Sequence, residues 1–143
     1  MQPQRNKVVV HYGDGKLLKG YTHDFLPDRE SFHLNTALEP GVGTIHEVKI
    51  LDLKAVFFVK SIEGNMAYVE KNRFEVVDAK ALHGIKIRVT FKDGEILRGL
   101  SLGYNRAKKG FFVVPIDPAS NNERIYVVAN ATAEIIVGPD AEK

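Results

Sequence analysis

Residues 85–91 alternate without exception: Ile85, Ile87, Val89 and Phe91 are apolar, while Lys86, Arg88 and Thr90 are polar. A period of two predicts a strand with one buried and one wet face. Asp93-Gly94 follows, supplying the positive φ of a tight hairpin, and Glu95 to Tyr104 reads as the returning strand. Further strands are predicted at Gly110–Pro115, Glu123–Ala129 and Thr132–Gly138. The first part of the chain reads the same way. Val8, Val10 and Tyr12 fall on every second position, Gly13-Asp14-Gly15 turns the chain, and Lys16 to Phe25 returns. Phe32–Thr36, Thr44–Ile50 and Leu53–Lys60 complete the set.

The two sets are copies. A shift of 79 places Lys7–Leu34 on Lys86–Val113 without a gap. Lys7, Val10, Asp14, Gly15, Leu18, Gly20 and Phe32 recur as Lys86, Val89, Asp93, Gly94, Leu97, Gly99 and Phe111. Beyond the following loops the match resumes one residue out of step, with Val48 on Tyr126 and Phe57-Phe58 on Ile135-Ile136. Gly20 and Gly99 fall inside second strands, where a missing side chain permits the sharp bend that a small barrel needs. The expectation is an all-β protein of two tandem five-stranded barrels, at residues 6–60 and 85–138, with a partly structured linker at 61–84. In that linker Ala67-Tyr68-Val69 and Phe74-Glu75-Val76-Val77 have strand composition. A unit this short buries only about 60% of its unfolded surface, so the copies are expected to pack on each other.

Composition narrows the chemistry. The 20 Lys+Arg and 18 Asp+Glu nearly balance, which predicts no strong sequence-independent pull toward nucleic acid or membrane. Cysteine is absent, which excludes disulfides, thiolate metal sites and a Cys nucleophile, and fits a reducing cytosol. Met-Gln-Pro-Gln-Arg at the start has no apolar signal-peptide core, and Ala55–Val59 is too short to span a bilayer. A soluble, cytoplasmic protein is expected.

The run Val8-Val-Val-His-Tyr-Gly-Asp-Gly-Lys-Leu-Leu-Lys-Gly-Tyr-Thr-His-Asp-Phe25 resembles the first motif of Sm-like (Hfq-like) proteins. There a strand, an Asn/Asp-Gly turn and a bent Gly-bearing strand lead to an aromatic–Asp position. Ile85 to Tyr104 repeats the pattern without the acid, and SH3-like barrels share much of the spacing. Gly110–Val128 also resembles an uncharacterised bacterial protein family. The resemblance implies Sm-like or SH3-like small barrels and, with them, RNA binding. The Arg-Gly or Lys-His pair of the second Sm motif has no counterpart, because those turns read Ile50-Leu51-Asp52-Leu53-Lys54 and Ala129-Asn130-Ala131-Thr132.

His11, His23, His33 and His46, with Asp24, lie in the first unit, and His83 lies in the linker. Their spacings match no metal signature, and the second unit carries Thr90, Leu102, Phe112 and Arg124 instead. No metal or other cofactor is expected. No Gly-x-Ser-x-Gly elbow, phosphate-cradling loop or His-Glu-x-x-His occurs, so no enzyme is expected. The leading expectation is a non-catalytic binding or assembly module that engages a protein partner, or its own copies, through edge strands. The candidate edges are Glu123–Ala129 and Ala55–Lys60, with Phe57, Phe58, Asn121, Asn122, Glu123 and Arg124 as contacts. One of Phe57 and Phe58 must point away from its own core and needs a cover. Ser120–Arg124 reads either as a partner contact or as a turn satisfying its own backbone. The alternative is an Sm-like RNA- or DNA-binding protein. It would use Lys86, Arg88, Arg98, Tyr104, Arg106, Lys108 and Lys109, basic groups beside an aromatic that could hold phosphates and stack a base.

Overall fold

A computed structural model describes residues 6–36, 43–62, 85–101, 103–105, 107–117 and 119–142. Ten strands follow one another: β1 (Asn6–Tyr12), β2 (Leu17–Thr22), β3 (Ser31–Asn35), β4 (Ile45–Lys49), β5 (Leu53–Val59), β6 (Ile85–Phe91), β7 (Ile96–Ser101), β8 (Gly110–Pro115), β9 (Asn122–Val128) and β10 (Thr132–Val137). Single 3-10 turns occupy Ile50–Asp52, Ala129–Ala131 and Pro139–Glu142, and the described residues contain no α-helix. The expected linker strands lie outside the described residues.

The strands form one antiparallel sheet in the order β10-β6-β7-β8-β9-β5-β1-β2-β3-β4. The all-β expectation holds, while the two five-strand sets expected as tandem barrels are continuous in one sheet, with no pairing between β4 and β5 or between β9 and β10 among the described residues. The last strand of the first half pairs with the fourth strand of the second, so the two hydrogen-bond ladders merge into one sheet that ends at β4 and β10.

The repeat is also more exact than its sequence suggests. Val10↔Leu18 recurs as Val89↔Leu97, Phe32↔Val48 as Phe111↔Val127, and Val8↔Phe58 as Ile87↔Val137. All of these are shifts of 79, so the expected one-residue step is absent: Phe58 corresponds to Val137 and Val48 to Val127. The cause of the misalignment is physical. β5 and most of β9 are apolar on both faces, so there is no alternation to fix the phase.

Local chemistry explains the shared frame. Gly15 and Gly94 adopt φ of 96° and 94° at the hairpin tips. Beside them the Asp14 and Asp93 carboxylates accept the backbone N–H of Lys16 and Glu95 at 2.9 and 3.0 Å. At Gly20 and Gly99 the sheet folds so tightly that a Cβ would lie 2.3 Å from the Asn35 carbonyl oxygen or 2.4 Å from that of Val114.

Each half surrounds its own core, and each core borrows from the other half. Val8, Val10, Phe32, Leu34, Val48, Ile50, Leu53, Val56 and Phe58 are joined by Tyr126 and Val128 of β9. Ile87, Val89, Phe91, Phe111, Val113, Ile125 and Val127 are joined by Ala55 of β5, with Phe57 packed against them. A small third cluster of Leu100, Ile116 and Ala141, with Ile136 against it, holds the 139–142 turn to the second half.

Because the cores interlock, unfolding is expected to be a single cooperative transition. Phe58→Ala removes a ring that is 3% exposed and should cost about 3 kcal/mol or more. Urea denaturation followed by far-UV circular dichroism checks this; two separated transitions would show that the halves are independent.

Candidate functional site

Ala55↔Val127, Val56↔Tyr126, Phe57↔Ile125 and Phe58↔Arg124 face each other across the seam between β5 and β9. The two strands expected to be open edges are therefore paired with each other inside the chain. Phe58 enters the first core and Phe57 turns toward the second, so the required cover for Phe57 is the other half. Phe25 sits at the centre of an aromatic cluster that crosses the seam, with ring centroids 5.4 Å from Phe58, 5.2 Å from Tyr126 and 6.3 Å from Phe112. The Arg124 guanidinium lies 4.4 Å from the Phe58 ring and 5.0 Å from Phe112, a cation–π arrangement capping this cluster.

The polar segment before β9 serves the same seam. Asn121 accepts the backbone N–H of Lys60 through its carbonyl at 2.8 Å and that of Ser61 through its side chain at 3.1 Å. Its amide also donates to the Ser61 carbonyl at 2.9 Å. Ser120 Oγ accepts the Asn122 N–H at 3.0 Å, so the turn satisfies its own backbone as well. Asn122 then opens β9, pairing with Val59, and Glu123 is exposed.

Lys54 was not anticipated as a seam residue. Its side chain is only 10% exposed, and its ammonium reaches from β5 into the hairpin of the other half, 2.7 Å from Asp93 and 3.3 Å from Glu95. It also lies 4.7 Å from the Phe91 ring centroid. The one sequence signal was a lysine inside an otherwise apolar strand. Hydrogen bonding from Lys54 and from the Glu95 backbone holds the Asp93 carboxyl below its ordinary pKa. His11 stands close by, its ring 4.2 Å from Phe57. Burial, and then the Lys54 charge, push its pKa down, against the opposing pull of Glu95 and Asp93.

Among the described residues no group of three His, Cys, Asp or Glu side chains comes together, and His83 lies outside those residues. His33 instead pairs with Asp24 at 2.7 Å through Nδ1. Burial raises the Asp24 carboxyl, but hydrogen bonds from His33 and Thr22 outweigh it and leave the pKa lowered.

The basic residues of the second half are dispersed among different partners. Lys86 pairs with Glu142 on the 139–142 turn, and Arg88 lies 3.6 Å from Glu134. Arg98 stands opposite Arg88 across β6 and β7. Tyr104 packs edge-on against Phe111 at 4.9 Å, so its ring belongs to the second core. Arg106 lies outside the described residues. Lys108 and Lys109 are exposed and border a cavity of about 300 Å³ between the halves, alongside Arg29, Leu51 and Tyr126.

Among the described residues, β4 and β10 at the ends of the sheet are paired on one side only. Ile45 is 67% exposed on the first and Val137 38% on the second. No helix among the described residues is long and apolar enough to cross a membrane.

The chain belongs to a family of unknown function (DUF6982), whose model matches residues 4–138. The match spans both halves and the connection between them, so the joined pair is the unit that the family shares. No curated protein and no solved structure matches the chain.

Native His11 has its pKa below the ordinary value of about 6.5, so folding favours the neutral ring. Its contribution to stability is complete above that value and is lost as pH falls through it toward the lowered native pKa. The stability of the wild type should therefore drop on mild acidification more than that of His11→Gln. Urea midpoints across this pH range check the difference.

Proposed function

We propose that this family member is a non-catalytic assembly module whose partner is a second copy of itself, added strand to strand at the free ends of its sheet. The observation that carries the reading is the seam. Within one chain, the fourth strand of one unit already pairs with the fifth strand of the other, and the two strands left over, β4 and β10, are again a fourth and a fifth. An exposed sheet edge is a template for another strand.

The Asp-Gly hairpin and bent second strand of each half agree with the resemblance of the sequence to Sm-like or SH3-like units, which supports the same reading. The exact repeat gives the proposed contact a register. Shifting the seam by 79 converts Ala55↔Val127 to Glu134↔Val48, Val56↔Tyr126 to Ile135↔Glu47, Phe57↔Ile125 to Ile136↔His46, and Phe58↔Arg124 to Val137↔Ile45. The last pair joins exposed apolar residues of the two free edges. Such a contact is heterologous, joining different surfaces head to tail, so it closes into a ring or continues as a filament.

Light scattering coupled to size exclusion should find oligomers of the wild type, and Ile45→Lys or Val137→Lys should reduce them to folded monomers. With no native cysteine to interfere, the double variant His46→Cys with Ile136→Cys should form interchain disulfides on oxidation. The pair His46→Cys with Ile135→Cys, one residue out of register, should not. A wild type that stays monomeric at high concentration would overturn the proposal, and nucleic acid co-purifying with such a monomer would favour the RNA-binding alternative.

A further inference from the structure

The cavity between the halves lies apart from both free edges, and its lining has a definite chemistry. At about 300 Å³ it stands at the lower end of small-molecule sites, which run from about 300 to 1,000 Å³. Ile50 and Leu51, from the turn between β4 and β5, give it an apolar wall with the Tyr126 ring. The Tyr126 hydroxyl has one long contact, 3.5 Å to the Pro27 carbonyl oxygen, and burial raises its pKa, keeping it a donor.

Charge is distributed unevenly around this wall. Asp28 and Glu30, flanking Arg29, come from the β2–β3 connection of the first half, while Lys108 and Lys109 come from the β7–β8 connection of the second. All five are exposed, and among the described residues none of them forms an ion pair. The first half therefore brings two carboxylates and the Arg29 guanidinium to the lining and the second half two ammonium groups, together with apolar Ile50 and Leu51 and the Tyr126 phenol.

We propose that this cavity binds a free amino acid with a large apolar or aromatic side chain. Its carboxylate meets Lys108, Lys109 and the Tyr126 hydroxyl, its ammonium meets Asp28 and Glu30, and its side chain lies on Ile50 and Leu51. The site goes beyond the assembly reading, since its residues are not on β4 or β10.

The test is a ¹H–¹⁵N NMR titration of the full chain with L-phenylalanine, 3-phenylpropionate and 2-phenylethylamine. Phenylalanine should give saturable shifts at residues 28–30, 50–51 and 107–110, at concentrations at least about ten-fold lower than either fragment, because each fragment lacks one charged hydrogen-bonding group. Lys108→Ala with Lys109→Ala should weaken phenylalanine and phenylpropionate but leave phenylethylamine unchanged. Leu51→Trp, at a half-exposed position that should tolerate it, should fill the cavity and abolish the shifts. Absence of saturable shifts overturns the proposal. So does binding of a fragment as tight as that of phenylalanine, or phenylalanine binding that is indifferent to the lysine pair.

Discussion

A strand that is apolar on both faces has to be buried on both faces, and β5 and β9 meet that requirement by pairing with each other. Val56 and Phe58 point into one core while Ala55 and Phe57 point toward the next, and Tyr126 and Ile125 divide in the same way. A fully buried large apolar side chain is worth about 1.5–3 kcal/mol, and a domain's net stability is about 5–15 kcal/mol. Exposing one face of each seam strand would remove several such contributions together. Each half relies on the other to cover its seam strand, and the family match over residues 4–138 spans both halves. The polar groups around the seam refine this contact without driving it: Asn121 fixes the end of β5, Lys54 ties it to the opposite hairpin, and Arg124 covers the aromatic cluster.

What could be read from the sequence follows from where hydrophobic alternation survives. β6 carries a clean period of two because one of its faces is wet, and its limits, its hairpin and its copy in β1 were all legible. The glycine bends were legible too, since Gly20 and Gly99 recur at the same offset. Alternation fails at β5 and β9, and there the sequence reading lost a residue of register and mistook two paired strands for open edges. The same property signals the answer: a run such as Leu53-Lys54-Ala55-Val56-Phe57-Phe58-Val59 has no wet face to expose. Pairing at long range has no local signature, so the cavity was invisible as well. Its walls come from connections in different halves, and only the sheet order brings Leu51 near Lys108.

The seam and the two end strands carry different side chains on one frame. At the seam the positions are Ala55, Phe57 and Ile125; their counterparts at the free edges are Glu134, Ile136 and His46. Tyr126 is matched by Glu47. Lys54 is matched by Ala133, and the hairpin pair Asp93 and Glu95 by Asp14 and Lys16, so the ionic clasp has no second version. Charged and polar side chains on an edge are how natural sheets limit indiscriminate pairing. The proposed head-to-tail contact, with Val137, Ile135, Val48 and Ile45 interrupted by Glu134, Glu47 and His46, would be weaker than the apolar seam.

That difference gives the divergence of the halves a physical direction. The strand frame, the Asp-Gly turns and the bends were retained because each core needs them. The fourth strand of the second half, from Ile125 to Val128, and the fifth of the first, apart from Lys54, are apolar, because they meet in every folded molecule. The remaining fourth and fifth strands kept polar residues, because an apolar edge would pair without control. The polar turn at Ser120–Arg124 fits this account, since it serves the seam, and the corresponding sequence of the first half, Gly41-Val42-Gly43-Thr44-Ile45, lacks those polar residues.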